Sequence, residues 1–248
     1  MSDVYKLLVQ IRELKDTIDS LRPLSSSELS ELRKWYITTN TYHSNAIEGN
    51  SLTLEETKIV VEDGLTVKGK PLIDVLEAKN HKDVMNLLFA IVQQKKDITE
   101  AVILSLYKEI LKGIDEENAG AYRRVQVRIT GEQEFPPSAD KIPLLIKELS
   151  DWYTDQKKKL HPVVLAAEFH YRFVKIHPFI DGNGRMARLL ANLILLRNGY
   201  PLVIIPVVVR QDYIHSLKST SPKSEFVALF LNSTKENMQD YLKMVGKE

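Results

Sequence analysis

The twelve residues His177-Pro178-Phe179-Ile180-Asp181-Gly182-Asn183-Gly184-Arg185-Met186-Ala187-Arg188 concentrate the chain's chemistry. A residue before proline is biased away from the α-helical region, so His177 marks the end of a helix. A histidine at such a corner can act as a general base near neutral pH. Asp181 is a hard oxygen ligand suited to Mg²⁺. Gly182 and Gly184 admit backbone conformations that turn amide N–H groups inward, and the helix expected from there places its N-terminus against them, where an anion is favoured. Arg185 and Arg188, three residues apart on one helix face, can both reach phosphate oxygens. A base, a metal carboxylate, an anion nest and two cations suit group transfer from a polyphosphate. Asp-Gly-Asn-Gly alone is commonly a turn, and His-Pro alone is loop punctuation. The joint pattern, ahead of the apolar run at residues 187–196, is what points to chemistry.

Helices must position this segment. Residues 4–21 set Leu7, Leu8, Ile11, Leu14, Ile18 and Leu21 at helical spacing, and Pro23 breaks it. Ser25 to Ser27 supply caps for a helix over about 27–46, and Thr53 with Glu56 forms a further helix start. Helices are also expected near 74–94, 99–112, 138–158 and 162–175. Residues 125–131 alternate apolar and polar, with Pro136-Pro137 beyond them, which reads as a short hairpin or flap. Residues 203–209 are β-branched but interrupted by Pro206, an extended connector with a strand as the alternative. Strands and helices do not alternate, so the fold class is mainly α.

The 248 residues are 44% hydrophobic and 27% charged with a net charge of +1, ordinary for a globular protein and uninformative about nucleic acid. The absence of cysteine excludes disulfides, thiolate metal sites and a cysteine nucleophile. There is no apolar leader and no apolar run near the 18 or so residues that span a bilayer, so cytoplasmic localisation without membrane contact is expected.

The segment resembles the signature of the Fic (filamentation induced by cAMP) family, HPFx[D/E]GNGRxxR, at every specified position, and the likeness runs from about residue 30 to 217. It includes Phe169-His170-Tyr171 and the run Leu195-Leu196-Arg197-Asn198-Gly199-Tyr200-Pro201. The resemblance implies a Fic-fold helical bundle with a short β-hairpin flap and the motif on a loop between two central helices. It implies a protein adenylyltransferase: His177 deprotonates a Ser, Thr or Tyr hydroxyl of a target protein, which attacks the α-phosphate of ATP as pyrophosphate leaves. Asp181 would hold Mg²⁺ as the metal ligand. Gly182, Asn183 and Gly184 would hold the α- and β-phosphates, and Arg185 and Arg188 the β- and γ-phosphates. The nucleotide-binding run as a whole includes Met186 and Ala187. Relatives using other donors tend to change the residues at 181 or 183, so the retained Asp181 and Asn183 favour AMP transfer.

Three more features belong to the resemblance. Gly120-Ala121-Tyr122-Arg123 and the alternating run after it are similar to a target-docking flap, with Thr130 and Gly131 beside the nucleotide. An ordinary hairpin over the core is the other reading. Tyr213 resembles an adenine-lining aromatic, against a plain buried tyrosine. The second aromatic and the asparagine of some relatives are here Ile214 and Ser221. Ser44-Asn45-Ala46-Ile47-Glu48-Gly49 matches an inhibitory motif, [S/T]xxxE[G/N], in which Glu48 competes with ATP for Arg188. The resemblance divides the chain into N-terminal helices at 1–70 with the inhibitory segment at about 27–49, a catalytic core at 71–217 and a helical tail at 218–248. It also extends to homodimers formed beside the inhibitory helix and to reverse, de-AMPylating activity using Glu48. Rival readings are a regulatory domain that binds nucleotide without turnover, a DNA-binding regulator, for which the tail is too short for a winged helix, and a metal hydrolase. His161, His170 and His177, spaced nine and seven apart, do not share a helix face as such a metal site needs.

Overall fold

The computed structural model describes residues 2–129, 134–218 and 220–246. Among the described residues ten α-helices follow in order: α1 Ser2–Ser20, α2 Ser26–Glu48, α3 Leu54–Lys58, α4 Leu72–Gln93, α5 Glu100–Leu111, α6 Ile142–Gln156, α7 Pro162–Ile176, α8 Asn183–Arg197, α9 Arg210–Ser216 and α10 Lys223–Met244.

Local chemistry sets the helix ends. Reciprocal capping boxes start α2 (Ser25 with Glu28) and α3 (Thr53 with Glu56). Proline at the first position of α7 leaves no N–H to satisfy. At the end of α2, Gly49 takes a left-handed φ of 105°, which returns its N–H to the last turn. A π-turn, Ile59–Asp63, continues α3.

Helices α7 and α8 form the centre and pack along each other, and every residue of α8 from Asn183 to Leu195 except Gly184 is buried. Helix α4 lies across α8 and α5, and α2 crosses both α4 and α8. Helix α1 packs on α10, which packs in turn on α7. This places the C-terminal end of α2 against the N-terminal end of α8.

The flap departs from the expected hairpin, and the connector follows its extended reading. The hairpin over 125–131 is not found: no strand forms among the described residues, and 130–133 lie outside them. Pro136 and Pro137 have no N–H to offer a ladder, and side chains bridge the two limbs instead. Arg123 donates to the carbonyls of Val125 and Pro137, and Gln126 donates to Pro136 O at 2.9 Å. The strand alternative for the connector is not adopted either. Residues 203–206 are extended, then turn through a 3₁₀ segment, Val207–Val209. Asparagine amides take the place of a neighbouring strand. Asn192 bonds Val203 N and O at 2.7 and 2.9 Å, and Asn237 bonds Ile204 N and O at 3.2 and 2.9 Å.

Candidate active site

The loop from α7 to α8 is braced from within. Phe179 is fully buried and stacks on Tyr107 with ring centroids 3.5 Å apart. Asn183 accepts from Phe179 N–H at 3.0 Å and donates to Phe179 O at 2.9 Å. Its side chain thereby closes the turn, and both ends of its amide are engaged. His177 caps α7 with a left-handed φ of 50°, and its carbonyl accepts from Arg123 Nε at 2.8 Å. Its Nδ1 is buried without a hydrogen-bond partner among the described residues, and the residue lines a cavity described below. Burial pushes the imidazole pKa below its ordinary value, against a smaller opposing pull from the Val174 carbonyl.

Glu48 ends α2 directly over the first turn of α8. A Cβ on Gly184 would collide with Glu48 Oε1 and lie 3.0 Å from Arg188 Nη1. The carboxylate therefore sits in the anion-favouring mouth of α8. Arg188, 5% exposed, donates from Nη2 to Glu48 Oε1 at 2.6 Å and to Ser44 O at 2.8 Å. Its Nε donates to Ser44 Oγ at 3.0 Å and its Nη1 to Tyr213 Oη at 3.1 Å. Burial opposes the arginine's charge, but Tyr213 and Glu48 together hold its pKa above the ordinary value. The Tyr213 hydroxyl also meets His170 Nε2 at 3.1 Å.

Comparison with known proteins decides the family. The family model described as Fic/DOC matches residues 97–195. Fic-1 from C. elegans is 30% identical in a solved structure, with a TM-score of 0.86 over 98% of this chain and 72% of that one. A Fic family protein from Desulfovibrio desulfuricans is also 30% identical, with a TM-score of 0.80 over 100% of this chain and 76% of that one. This chain belongs to the Fic family. Among curated Fic relatives, Protein adenylyltransferase Fic from Drosophila grimshawi is 37% identical over 95% of this chain and 49% of its own length. The chain spans about half the length of the curated relatives it matches.

In this Fic chain the two motif arginines diverge, although three residues apart they were expected to share one task. Arg185 is 1% exposed and pairs with Glu77 on α4 at 2.8 Å and with Asp181 at 2.7 Å. Glu77 also accepts from Asn50 Nδ2 at 2.9 Å, so one carboxylate links the end of α2 to the loop. Asp181 is otherwise open, its side chain 69% exposed. Among the described residues no cluster of three or more metal-ligating side chains exists. A lone exposed carboxylate fits Mg²⁺ only as one ligand among phosphate oxygens and waters.

A cavity of about 250 Å³ opens beside Glu48 and Gly184. Of the expected residues, His177 and Tyr213 line it too. Met186 and Ala187 are fully buried in the core, so only their main chain is near the nucleotide-binding run. Thr130 and Gly131 lie outside the described residues. Residues not anticipated complete the wall, above all Lys175, Arg210 and Lys218, together with Ile214, named above beside Tyr213. Arg210 also donates to Ile47 O at 2.6 Å, at the end of α2.

Proposed function

We propose that this Fic chain is a protein adenylyltransferase held in check by its own α2. The observation that carries this reading is the Glu48 carboxylate, seated on the Gly184 turn and paired with Arg188 at the edge of the cavity that His177 lines. An anion already occupies the seat a nucleotide phosphate would need.

In the active direction a target hydroxyl delivers its proton to His177 Nε2 as its oxygen attacks the α-phosphorus of ATP. A new P–O bond forms, the bond to the bridging oxygen breaks, and pyrophosphate leaves carrying the electron pair. His177 is kept neutral by burial and is thus ready to accept that proton. The amides of Gly182 to Gly184 and Arg188, once released, would hold phosphate oxygens. Asn183 would act chiefly by closing the turn, and Arg185 by holding Asp181 from the far side. Mg²⁺, held by Asp181 and the phosphates, would neutralise charge on the triphosphate. Val125 and Phe135, exposed on the flap, would offer an extended target segment apolar contact. Ser44 and Glu48 form the brake: while both hold Arg188, ATP cannot settle in line.

Intact-mass analysis after incubation with Mg·ATP tests this. Glu48→Gly protein should gain the mass of one or more adenylates, and wild type far less. Equal, negligible labelling of both would sink the reading.

The position of Glu48 in the same cavity as His177 also supports the reverse reaction, with Glu48 aligning a water on a modified side chain. Loss of adenylate from prelabelled Glu48→Gly protein on adding wild type would reveal it.

A further inference from the structure

Arg123 is 2% exposed, yet every hydrogen bond described for its guanidinium ends on a neutral main-chain carbonyl. A buried cation is expensive unless its donors are satisfied. Here Nε donates to His177 O at 2.8 Å, Nη1 to Val125 O at 2.9 Å and Nη2 to Pro137 O. The residue's own N–H donates to Pro178 O at 3.0 Å. The acceptors belong to three separate stretches: the departing limb of the flap, its returning limb and the corner that carries His177. The donors of a planar guanidinium point in fixed directions, so they set the spacing of three segments at once. With no β-ladder among the described flap residues, this side chain ties the limbs together and to the catalytic loop. It also fastens the carbonyl of a non-glycine residue held at φ 50°, a conformation that needs outside support.

We propose that Arg123 is a positioning residue for the transfer step, setting the flap, and the acceptor segment lying on it, in register with His177. This rests on the adenylyl-transfer reading above. None of its partners belongs to the anion seat formed by Glu48, Gly184 and Arg188, so its influence falls on the acceptor side and not on nucleotide affinity. After burial, its charge also helps keep the His177 imidazole neutral, while Glu48 and Asp181 pull the other way.

The test compares R123K and Arg123→Met in a Glu48→Gly background. Lysine keeps the charge but offers one ammonium, which cannot serve three diverging carbonyls. Self-adenylylation by α-labelled ATP, titration with a non-hydrolysable ATP analogue and amide exchange of the intact chain are measured. In both variants self-adenylylation should fall roughly 10- to 100-fold, as for a small misplacement of reacting groups. The analogue's Kd should stay within about twofold. Exchange should quicken over residues 124–129 and 134–138 while α7 and α8 stay protected. Analogue affinity falling in step with labelling, or exchange rising equally through α7 and α8, would make Arg123 a general structural residue and overturn the proposal. Unchanged labelling with unchanged flap exchange would overturn it too. Should the Glu48→Gly parent itself take up no adenylate, the functional reading fails, and flap exchange still decides whether Arg123 is the clamp.

Discussion

The carboxylate of Glu48 fills the space that a side chain at Gly184 would need, so the end of α2 and the start of α8 touch through an acid on one side and a missing Cβ on the other. Glycine at 184 is thus a matter of close approach. Its φ is not among those in the left-handed region, and the anion seat exists because nothing projects into it.

Gly184→Ala should therefore destabilise the protein, because Glu48 and Arg188 must both move. In a Glu48→Ala background the penalty should shrink. Alanine's better helix propensity, worth up to about 1 kcal/mol over glycine, then opposes only the approach to Arg188 Nη1 at 3.0 Å. A double-mutant cycle by denaturant unfolding checks this, and additive effects would contradict the contact.

Glu48→Ala alone should lower stability by about 1–2 kcal/mol, since buried Arg188 keeps Ser44 and Tyr213 but loses its acid. The figure is modest because the Glu48 side chain is 35% exposed. Added Mg·ATP should raise the melting midpoint of the variant more than that of wild type, because the seat is now open. Differential scanning calorimetry with and without nucleotide gives both numbers.

Glu77→Gln should weaken the tie between α4, the end of α2 and the catalytic loop. Arg185 is almost wholly buried and would be left with Asp181, a mostly exposed partner. A loss of about 1–3 kcal/mol is expected by urea unfolding. Amide exchange should quicken at residues 50–51 as well as 181–185, because Glu77 also holds Asn50.

Acid should destabilise the fold through its buried imidazoles. Burial, then Arg188 and Arg185, push His81 down to about 3, and burial with Arg188 pushes His170 well below the ordinary 6.5. Above the unfolded value both states are neutral and nothing is lost. As pH falls below about 6.5 the unfolded chain takes up protons that the folded chain refuses, so stability drops by up to about 1.4 kcal/mol per pH unit for each such histidine. Unfolding free energies at pH 7.5, 6 and 5 should show the decline, and His81→Gln should flatten it by about one proton.

The acid limb of the transfer rate should likewise lie below the pKa of a free imidazole. His177 must be neutral to accept a proton, and burial lowers its pKa. Activity of the Glu48→Gly protein should persist as pH falls through 6.5 and fail only lower; a limb above 6.5 would argue against His177 as the base.

Much of this was legible from residue types. Helix existence followed from apolar spacing and from Ser25, Thr53 and Pro162, because caps and periodicity are local and act within a turn or two. The joint motif at 177–188 and the spacing of Ser44 and Glu48 pointed to groups that the fold brings together, Glu48 against Gly184 and Arg188, because group transfer needs those chemical types together. Tertiary structure decided the rest. The limbs at 121–138 joined through Arg123 and Gln126 where alternation suggested a ladder, since prolines on the return limb cannot donate and distant carbonyls were within reach of side chains. Val203 and Ile204 found asparagine amides from α8 and α10 in place of a strand, which no local pattern announces. Arg185 and Arg188 have the same charge and lie one turn apart. Only the helices packed on each, α4 with Glu77 and α2 with Glu48, determine that the first holds the loop and the second meets the anion seat. A sequence fixes which groups are available and where helices start. Which buried charge meets which is settled by long-range packing, because a charge taken out of water must pair with whatever the fold brings beside it.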